Sequence, residues 1–442
     1  MENEMENKTI SKRSRTKPIV KKGGSKKLSA NINNRDNNKK RRTVKQDEPV
    51  NEYYYSIAFR LKFARLILLF FLIIFVIVSV ILNSKELTID NLSQLLRYID
   101  IQNSEKVQVF EFSIDIDEDS CIGYYKNNIV VLKRNKLDVY DLNGKRNFSH
   151  TLTYSMPVLE ISDKYILAFD SGANKMQIFN SFSKLYEYKS KYNEINPIYG
   201  AKITDKGNIV YITSEKGYKC VVKIMNNSFT EVYECCFGDK YIVDADIDNE
   251  AKKLAIAGFS GKNGDFLGEI LLYDTGSDDE NYQRRIVAEG EIPLRVNFNK
   301  SGLFAIFENS LQIFDENYDK LENYNFLNKG IEYFRFTPEC AAVILGEKTL
   351  GNEKSILIFN YLGELLYSEI INTEIIDIKF SEDSTVLYFL TRSGLYKIDI
   401  HEKKFELMSA AYDETAYKII YADDKNIFVS GLTKVNIIKI EN

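Results

Sequence analysis

Ile375–Thr391 reads IIDIKFSEDSTVLYFLT, and Leu395–Lys403 continues as LYKIDIHEK. The first run alternates with period two, as a strand with two different faces does. A polar turn leads into a second apolar strand, and the third strand ends in another turn. This unit recurs. Its first half returns as VLEISDKYILAFD, YGAKITDKGNIVYITS, VDADIDNEAKKLAIAG, LRVNFNKSGLFAIF and YFRFTPECAAVILG. Its second half returns as LDVYDLNGK, MQIFNSFSK, VVKIMNNSF, ILLYDTGSD, LQIFDENYD and ILIFNYLGE. The turns begin near Asp141, Asn180, Met225, Asp274, Asp315, Asn360 and Asp399. Their spacing of about 39 to 49 residues matches the ~40–50 residues of a four-stranded propeller blade.

A single blade presents apolar faces that only neighbouring blades can cover, and closing the ring removes the open sheet edges. The C-terminal stretch supplies three strands, Tyr417–Ala422, Asn426–Gly431 and Val435–Ile440. Val107–Asp115 alternates and supplies the fourth strand of that closing blade. The expected fold is all-β: a propeller of four-stranded blades, eight in number, with seven as the alternative count. Separate β-sandwiches would need linkers that the repeats do not leave.

The strand–turn–strand units, VNFNKSGLFAIF and IKFSEDSTVLYFLT among them, resemble those of the WD40, lactonase-like (YVTN) and quinoprotein-like propeller superfamilies. The whole layout, roughly residues 55–442, resembles a bacterial family of membrane-anchored propellers known as domain of unknown function 5711. The chain departs from its better-known cousins in lacking the WD dipeptide and any Trp. The tryptophan-docking motif of quinoprotein blades therefore cannot form, which argues against pyrroloquinoline quinone. The 27 Phe and 29 Tyr are expected to fill the layers between blades.

Ahead of the repeats lies Phe63–Leu82, FARLILLFFLIIFVIVSVIL. Leu66–Leu82 carries no charge, and the run approaches the ~20 residues that span a bilayer core. A cleaved signal peptide would have a shorter apolar region nearer the start of the chain. Arg60, Lys62 and Arg65 precede the run and only Lys85 closely follows it, which predicts a cytoplasmic N-terminus. Residues 1–52 read as a disordered basic tail, 53–83 as an interfacial segment and transmembrane helix, 84–106 as a linker with a short amphipathic helix near Ile89–Ile99, and 107–442 as an extracytoplasmic propeller. The overall charge of -4 hides an asymmetry. Residues 1–65 carry roughly +11 and the remainder roughly -15. An acidic propeller should not adhere to nucleic acid. The tail could meet anionic lipid or nucleic acid, although no aromatics are interleaved for base stacking.

The five cysteines, Cys121, Cys220, Cys235, Cys236 and Cys340, form no metal-ligand spacing. A tight turn at Asn226–Asn227 would set Cys220 opposite Tyr233, away from Cys235 and Cys236, so mostly buried free thiols are expected. His150 and His401 fall on blades near opposite ends of the repeat array. No G-x-S-x-G, H-E-x-x-H, P-loop or G-x-G-x-x-G motif is present. The acidic ladders Asp115–Asp119 and Asp244–Asp248 fit strand faces and turns better than calcium loops. No catalytic, cofactor-binding or metal-ligating residue is assigned, and no cofactor is expected.

In the blade order a-b-c-d of such propellers, the b–c and d–a connections share one face. The longer b–c loops read as Ser214–Lys219, Phe259–Gly268 and Gly346–Ser355. Long loops on a rigid scaffold commonly carry function. Lys216, Phe259, Lys262, Asp265, Phe266, Lys348 and Asn352 are the candidate partner contacts. Together these features predict a single-pass protein of the bacterial cell membrane whose propeller binds a protein or polymer without catalysis. An envelope hydrolase of lactonase or glycan-processing type, with carboxylates lining the central channel, is the first alternative. Signalling through the basic tail is the second. Because a d–a connection follows Val107–Asp115, that strand should run toward the b–c face, leaving the long loops pointing away from the membrane.

Overall fold

The computed structural model describes residues 57, 60, 62, 64–74, 111–114, 116, 119–189, 196–262, 264–277, 282–327, 329–347, 353–409 and 415–440. The chain divides into two compact units, Met1–Ser84 and Lys85–Asn442. In the first, residues 64–74 are helical, and the large apolar side chains from Leu66 to Ile74 are all exposed. Among the described residues no helix is long and apolar enough to cross a membrane. The expected span continues to Leu82, and 75–82 lie outside the described residues, as do the basic tail and the short helix expected near 89–99.

The second unit consists of eight four-stranded antiparallel sheets, so the count of eight holds rather than seven. Blade 1 comprises 121–151, blade 2 157–187, blade 3 198–237, blade 4 241–289, blade 5 293–325, blade 6 329–372 and blade 7 375–409. Within each, strands a to d follow in sequence from the innermost outward. Blade 8 takes Lys418–Ala422, Asn426–Ser430 and Lys434–Lys439 from the C-terminal stretch and its outer strand, Glu111–Ser113, from ahead of blade 1. Ser113 lies opposite Lys434, and the Ile114 N–H donates to Thr433 O at 3.0 Å. The closing strand thus runs toward the end of the blade that carries the b–c connection at 431–433.

Eight apolar clusters make up the core, one for each junction between successive blades, including blade 8 with blade 1. This explains the strand patterns. The b strands Ile166–Asp170 and Leu303–Phe307 are buried at every position because a neighbouring blade covers each face. The outer strand Arg284–Glu289 alternates because one side meets water. Phe179, Phe304, Phe359 and Phe389 lie fully buried in these layers, where burying such a ring contributes about 1.5–3 kcal/mol.

The c–d turns share one device. The side chains of Asp141, Asn180, Asn226, Asp274, Asp315, Asn360 and Asp399 each accept a hydrogen bond from a backbone N–H two to four residues on. Such Asx turns release the chain from the strand and return it antiparallel. The blade 3 turn differs from the tight one expected at Asn226–Asn227. Asn226 bonds the N–H groups of Ser228 and Thr230, and Phe229 takes the left-handed conformation. The longer turn shifts the register, so Cys220 faces Phe237 while Ile224 faces Tyr233. All five cysteines are free; Cys236 is exposed, Cys121 half-buried and the other three buried.

Candidate interaction face and central channel

The b–c connection of blade 4 departs furthest from the other blades. Its strands, Lys253–Lys262 and Asp265–Asp274, are ten residues each, where the equivalent strands of blade 5 have five. Pairing continues from Phe259↔Gly268 through Gly261↔Phe266 to Lys262↔Asp265. Only positions 263 and 264 are left to turn, and Gly264 takes φ +92° there. Asn-Gly suits a two-residue hairpin turn, because both positions need positive φ. Phe259–Gly268 is therefore a paired hairpin rather than the loop expected. In Gly346–Ser355 only the two ends are seen to be strand, with Gly346 paired to Lys354. Its blade 6 strands run through Glu347 and resume at Glu353, and the positions between, Lys348 and Asn352 included, lie outside the described residues. Lys216 is exposed in the 214–219 connection, and Asp265 is exposed beside the blade 4 turn.

The hairpin brings two of the expected contacts together and adds two that sequence reasoning missed. Phe259 and Phe266 meet edge to face, with ring centres 5.7 Å apart. Tyr241 lies opposite Phe259 in the register and stacks on it at 5.6 Å. Lys219 Nζ sits over the Tyr241 ring at 4.5 Å. Tyr241 and Phe266 remain 51% and 53% exposed. A Cβ at Gly258 would stand 2.7 Å from Tyr241 O, so the hairpin can lie this close to Tyr241 only with glycine there. Tyr218 and Tyr199 are exposed at the same end of blade 3, where the Tyr199 and Ser214 hydroxyls are 3.4 Å apart. The result is a rigid aromatic platform with a cation at its edge. Aromatic residues of this kind dominate binding energy at protein interfaces.

The second site is the channel along the propeller axis. Each a strand has one unpaired edge, so its backbone groups need other partners. Charged side chains of adjacent a strands supply them. Asp244 accepts from Val296 N–H at 2.9 Å and Asp246 from Phe298 N–H at 2.7 Å, both across the junction of blades 4 and 5. Lys202 of blade 3 donates to Asp244 at 2.7 Å and to Val296 O at 2.8 Å. Arg335 of blade 6 donates to Asp377 of blade 7 at 2.9 Å, and Asp377 accepts from Ile419 N–H of blade 8 at 2.9 Å. Lys418 donates to Ile122 O, and the Cys121 thiol to Pro157 O, which carries the belt through blade 1 to blade 2. The acidic stretch Asp244–Asp248 is thus a strand and turn, with Asp248 holding the N–H groups of Lys252 and Lys253.

Three charged groups stand outside this belt. Glu160 of blade 2, Arg295 of blade 5 and Lys379 of blade 7 form no hydrogen bond or ion pair with a described residue. Burial pushes the Glu160 carboxyl up, against the pull of Arg295 and Lys202. Burial pushes the Lys379 ammonium down, reinforced by Arg335 and opposed by Asp377. Asp246 is likewise raised by burial, with Lys202 opposing. Sequence carries a signal for the belt. Glu160, Lys202, Asp246, Asn297, Arg335 and Lys379 each sit one residue ahead of the apolar residue that ends an a strand. Hydrolysis by paired carboxylates needs two that are free to act. Asp244, Asp246 and Asp377 are each engaged with backbone N–H groups, which leaves Glu160.

The histidines belong to neither site. His150 lies on the outer strand of blade 1 beside Phe148 and Phe179, and burial lowers its pKa. His401 lies in the c–d turn of blade 7, its N–H bonded to Asp399. Among the described residues no group of His, Cys, Asp and Glu could hold a metal ion.

Two solved propellers share the architecture. Sqt1 of Saccharomyces cerevisiae superposes with a TM-score of 0.55 at 10% identity, covering 76% of this chain and 100% of that one. The C-terminal WD40 domain of Sif2 superposes with a TM-score of 0.52 at 13% identity, covering 76% and 98%. At such identities the likeness is one of fold. No curated protein matches the chain by sequence. The profile of a family of unknown function, DUF5711, matches residues 101–440, which is the whole propeller, and the chain belongs to that family.

Proposed function

We propose that the chain is a non-catalytic binding module of the bacterial cell envelope, held by one membrane-spanning helix and presenting the blade 4 hairpin to a protein partner. The cluster of exposed Lys219, Tyr241 and Phe266 around half-buried Phe259 carries this reading. Large aromatic rings held rigidly in water have little entropy left to lose on binding. The anchor is supported by the exposed apolar helix at 64–74 and by the uncharged sequence that continues it to Leu82. A helix apolar all round is stable only when something apolar covers it.

The test compares the full chain with a Tyr241→Ser, Phe266→Ser double variant in crosslinking and co-purification from native membranes. Loss of one reproducible partner in the variant supports the proposal, with affinity falling about 30-fold or more for two such anchors. An identical partner profile in both would overturn it. Deleting 63–82 should move the chain from the membrane pellet to the soluble fraction, and a chain that stays in the pellet refutes the anchor.

A further inference from the structure

The junction of blades 1 and 2 stands open between their outer strands. The outer strand of blade 2, Lys184–Glu187, has four residues, where those of blades 1 and 3 to 7 have six to eight. At the junction of blades 4 and 5 a side chain crosses this space: Arg284 donates to Asn317 O and to Asp319. Between blades 1 and 2 a cleft of about 330 Å³ remains instead. It is lined by His150 of blade 1, by Thr153 and Tyr154 of the connection, and by Lys175, Gln177 and Glu187 of blade 2. Its volume is that of a small-molecule site.

The polar groups of the cleft hold one another in place. Lys175 Nζ donates to Thr153 O at 2.6 Å and to Thr153 Oγ1 at 3.2 Å. The Tyr154 hydroxyl donates to Ala168 O at 3.3 Å and to Gln177 Oε1 at 3.4 Å. Gln177 lies opposite Glu187 in the register and bonds its carboxylate. Lys184 Nζ bonds the same carboxylate at 2.6 Å and holds it below its ordinary range, hence ionised. The His150 ring centre lies 5.3 Å from that of Phe179, which is fully buried. Burial lowers the His150 pKa, reinforced by Lys184 and opposed by Glu187, so the imidazole is neutral at pH 7. Neither of its ring nitrogens bonds a described residue.

Each group is fixed yet has capacity left. A carboxylate offers about four acceptor sites, of which Lys184 and Gln177 take two. Lys175 keeps a donor, the Gln177 amide keeps a donor and an acceptor, and a neutral imidazole supplies one of each. Lys184 is cancelled by Glu187, so the cleft lacks the concentrated positive charge that phosphate needs. Donors and acceptors interleaved at fixed positions suit a ligand whose hydroxyls both give and accept hydrogen bonds. Leu152 and Tyr154, from the apolar cluster of this junction, add surface for C–H groups.

We propose that the cleft between blades 1 and 2 binds a neutral saccharide, about one or two pyranose rings in size. Glu187 is the chief acceptor, Lys175 a donor, and Gln177 and His150 serve as both. The site lies on other blades than the hairpin platform, and neither depends on the other.

The experiment is modification of the full-length chain by diethyl pyrocarbonate, in a detergent without a sugar headgroup, read at each histidine by peptide mass spectrometry. The chain has two histidines, and His401 in the c–d turn of blade 7 is the internal control. Glucose, N-acetylglucosamine and the β-1,4-linked dimer of each are added separately, with sodium phosphate as the anion arm. A sugar at ten times its Kd should slow reaction at His150 about elevenfold and leave His401 unchanged. Glu187→Ala and Lys175→Met, both at exposed positions, should react at the wild-type rate without sugar. Each should need about tenfold more sugar for the same protection, the loss of one charge-assisted hydrogen bond. Saturable protection of His150 by at least one sugar, weakened in both variants, supports the site. Four results overturn it: no protection by any sugar up to about 100 mM, where a millimolar site must fill; phosphate protecting as well as the sugars; parallel slowing at His401; or equal protection in wild type and variants.

Discussion

Replacing Asp244 by Ala should be among the most damaging single changes on the channel wall. The carboxylate accepts two hydrogen bonds through the same oxygen, from Lys202 Nζ at 2.7 Å and from Val296 N–H at 2.9 Å. Val296 is fully buried, so its N–H would lose its partner where water cannot replace it. A buried N–H left unsatisfied costs about 1–3 kcal/mol. Lys202, only 14% exposed, would keep Val296 O and a longer contact to Asp246 at 3.8 Å. Loss of its closer counter-charge adds roughly another 2 kcal/mol, less than the about 3–5 kcal/mol for breaking a buried pair outright because Lys202 keeps other partners. The total is about 3–5 kcal/mol. An unfolding entropy of ~2.1 cal/mol/K per residue over a propeller of this length gives about 0.7 kcal/mol per degree, hence a fall in Tm of about 4–7 °C. Asp244→Asn keeps an acceptor for the N–H and should cost less than half as much. Circular dichroism melts of the wild type and both variants decide the matter. An Asp244→Ala variant within 1 °C of wild type would refute the role of the belt. So would an Asn variant as damaged as the Ala variant, because the N–H bond would then be immaterial.

Phe389 is fully buried between blades 6 and 7, stacked on Tyr396 and tilted against Phe405 with both ring centres at 5.3 Å, so Phe389→Ala should cost about 3–5 kcal/mol and lower Tm comparably, with Phe389→Leu much milder. Thiol titration of the folded chain should label Cys236 fast and the buried thiols slowly, because burial pushes Cys235 and Cys340 up to about 11 and withholds their thiolates; Cys236→Ser should abolish the fast phase. Glu160→Gln should show a signed pH dependence. The carboxyl faces Arg295, Lys202, Asp244, Asp246 and Lys379, and burial raises its folded pKa above the unfolded value. The folded state therefore holds the proton more tightly, and the wild type loses stability as pH rises from the unfolded pKa through the folded one. The variant's gain over wild type at pH 7 should vanish near pH 4; a gain that is constant across that range would contradict a buried, unpaired Glu160.

The ring of blades is legible in the sequence because its causes are local. Alternation in Ile375–Phe380, the apolar run Val386–Thr391 and the Asx turn at Asp399 each act within a few residues, and stacking repeats them between nearest neighbours. The closing strand can be assigned because the C-terminal blade is one strand short. The blade 4 hairpin is half legible. Phe259 and Phe266 stand out, but the stretch reads as a loop, since a run of ten paired residues and a turned loop of the same length contain the same small and polar residues until the Asn-Gly turn is given weight. Tyr241 carries no local signal because it reaches Phe259 only through the pairing of a and b strands. The channel lies furthest from the sequence. Alternation marks which side of an a strand is polar, yet whether a carboxylate such as Asp244 caps a neighbour's N–H or, like Glu160, caps nothing depends on the twist and stagger between blades. Local pattern makes the blades; only closure of the ring, which sets the inner strands side by side, brings Lys202 onto Asp244 and Arg335 onto Asp377 across the blade junctions.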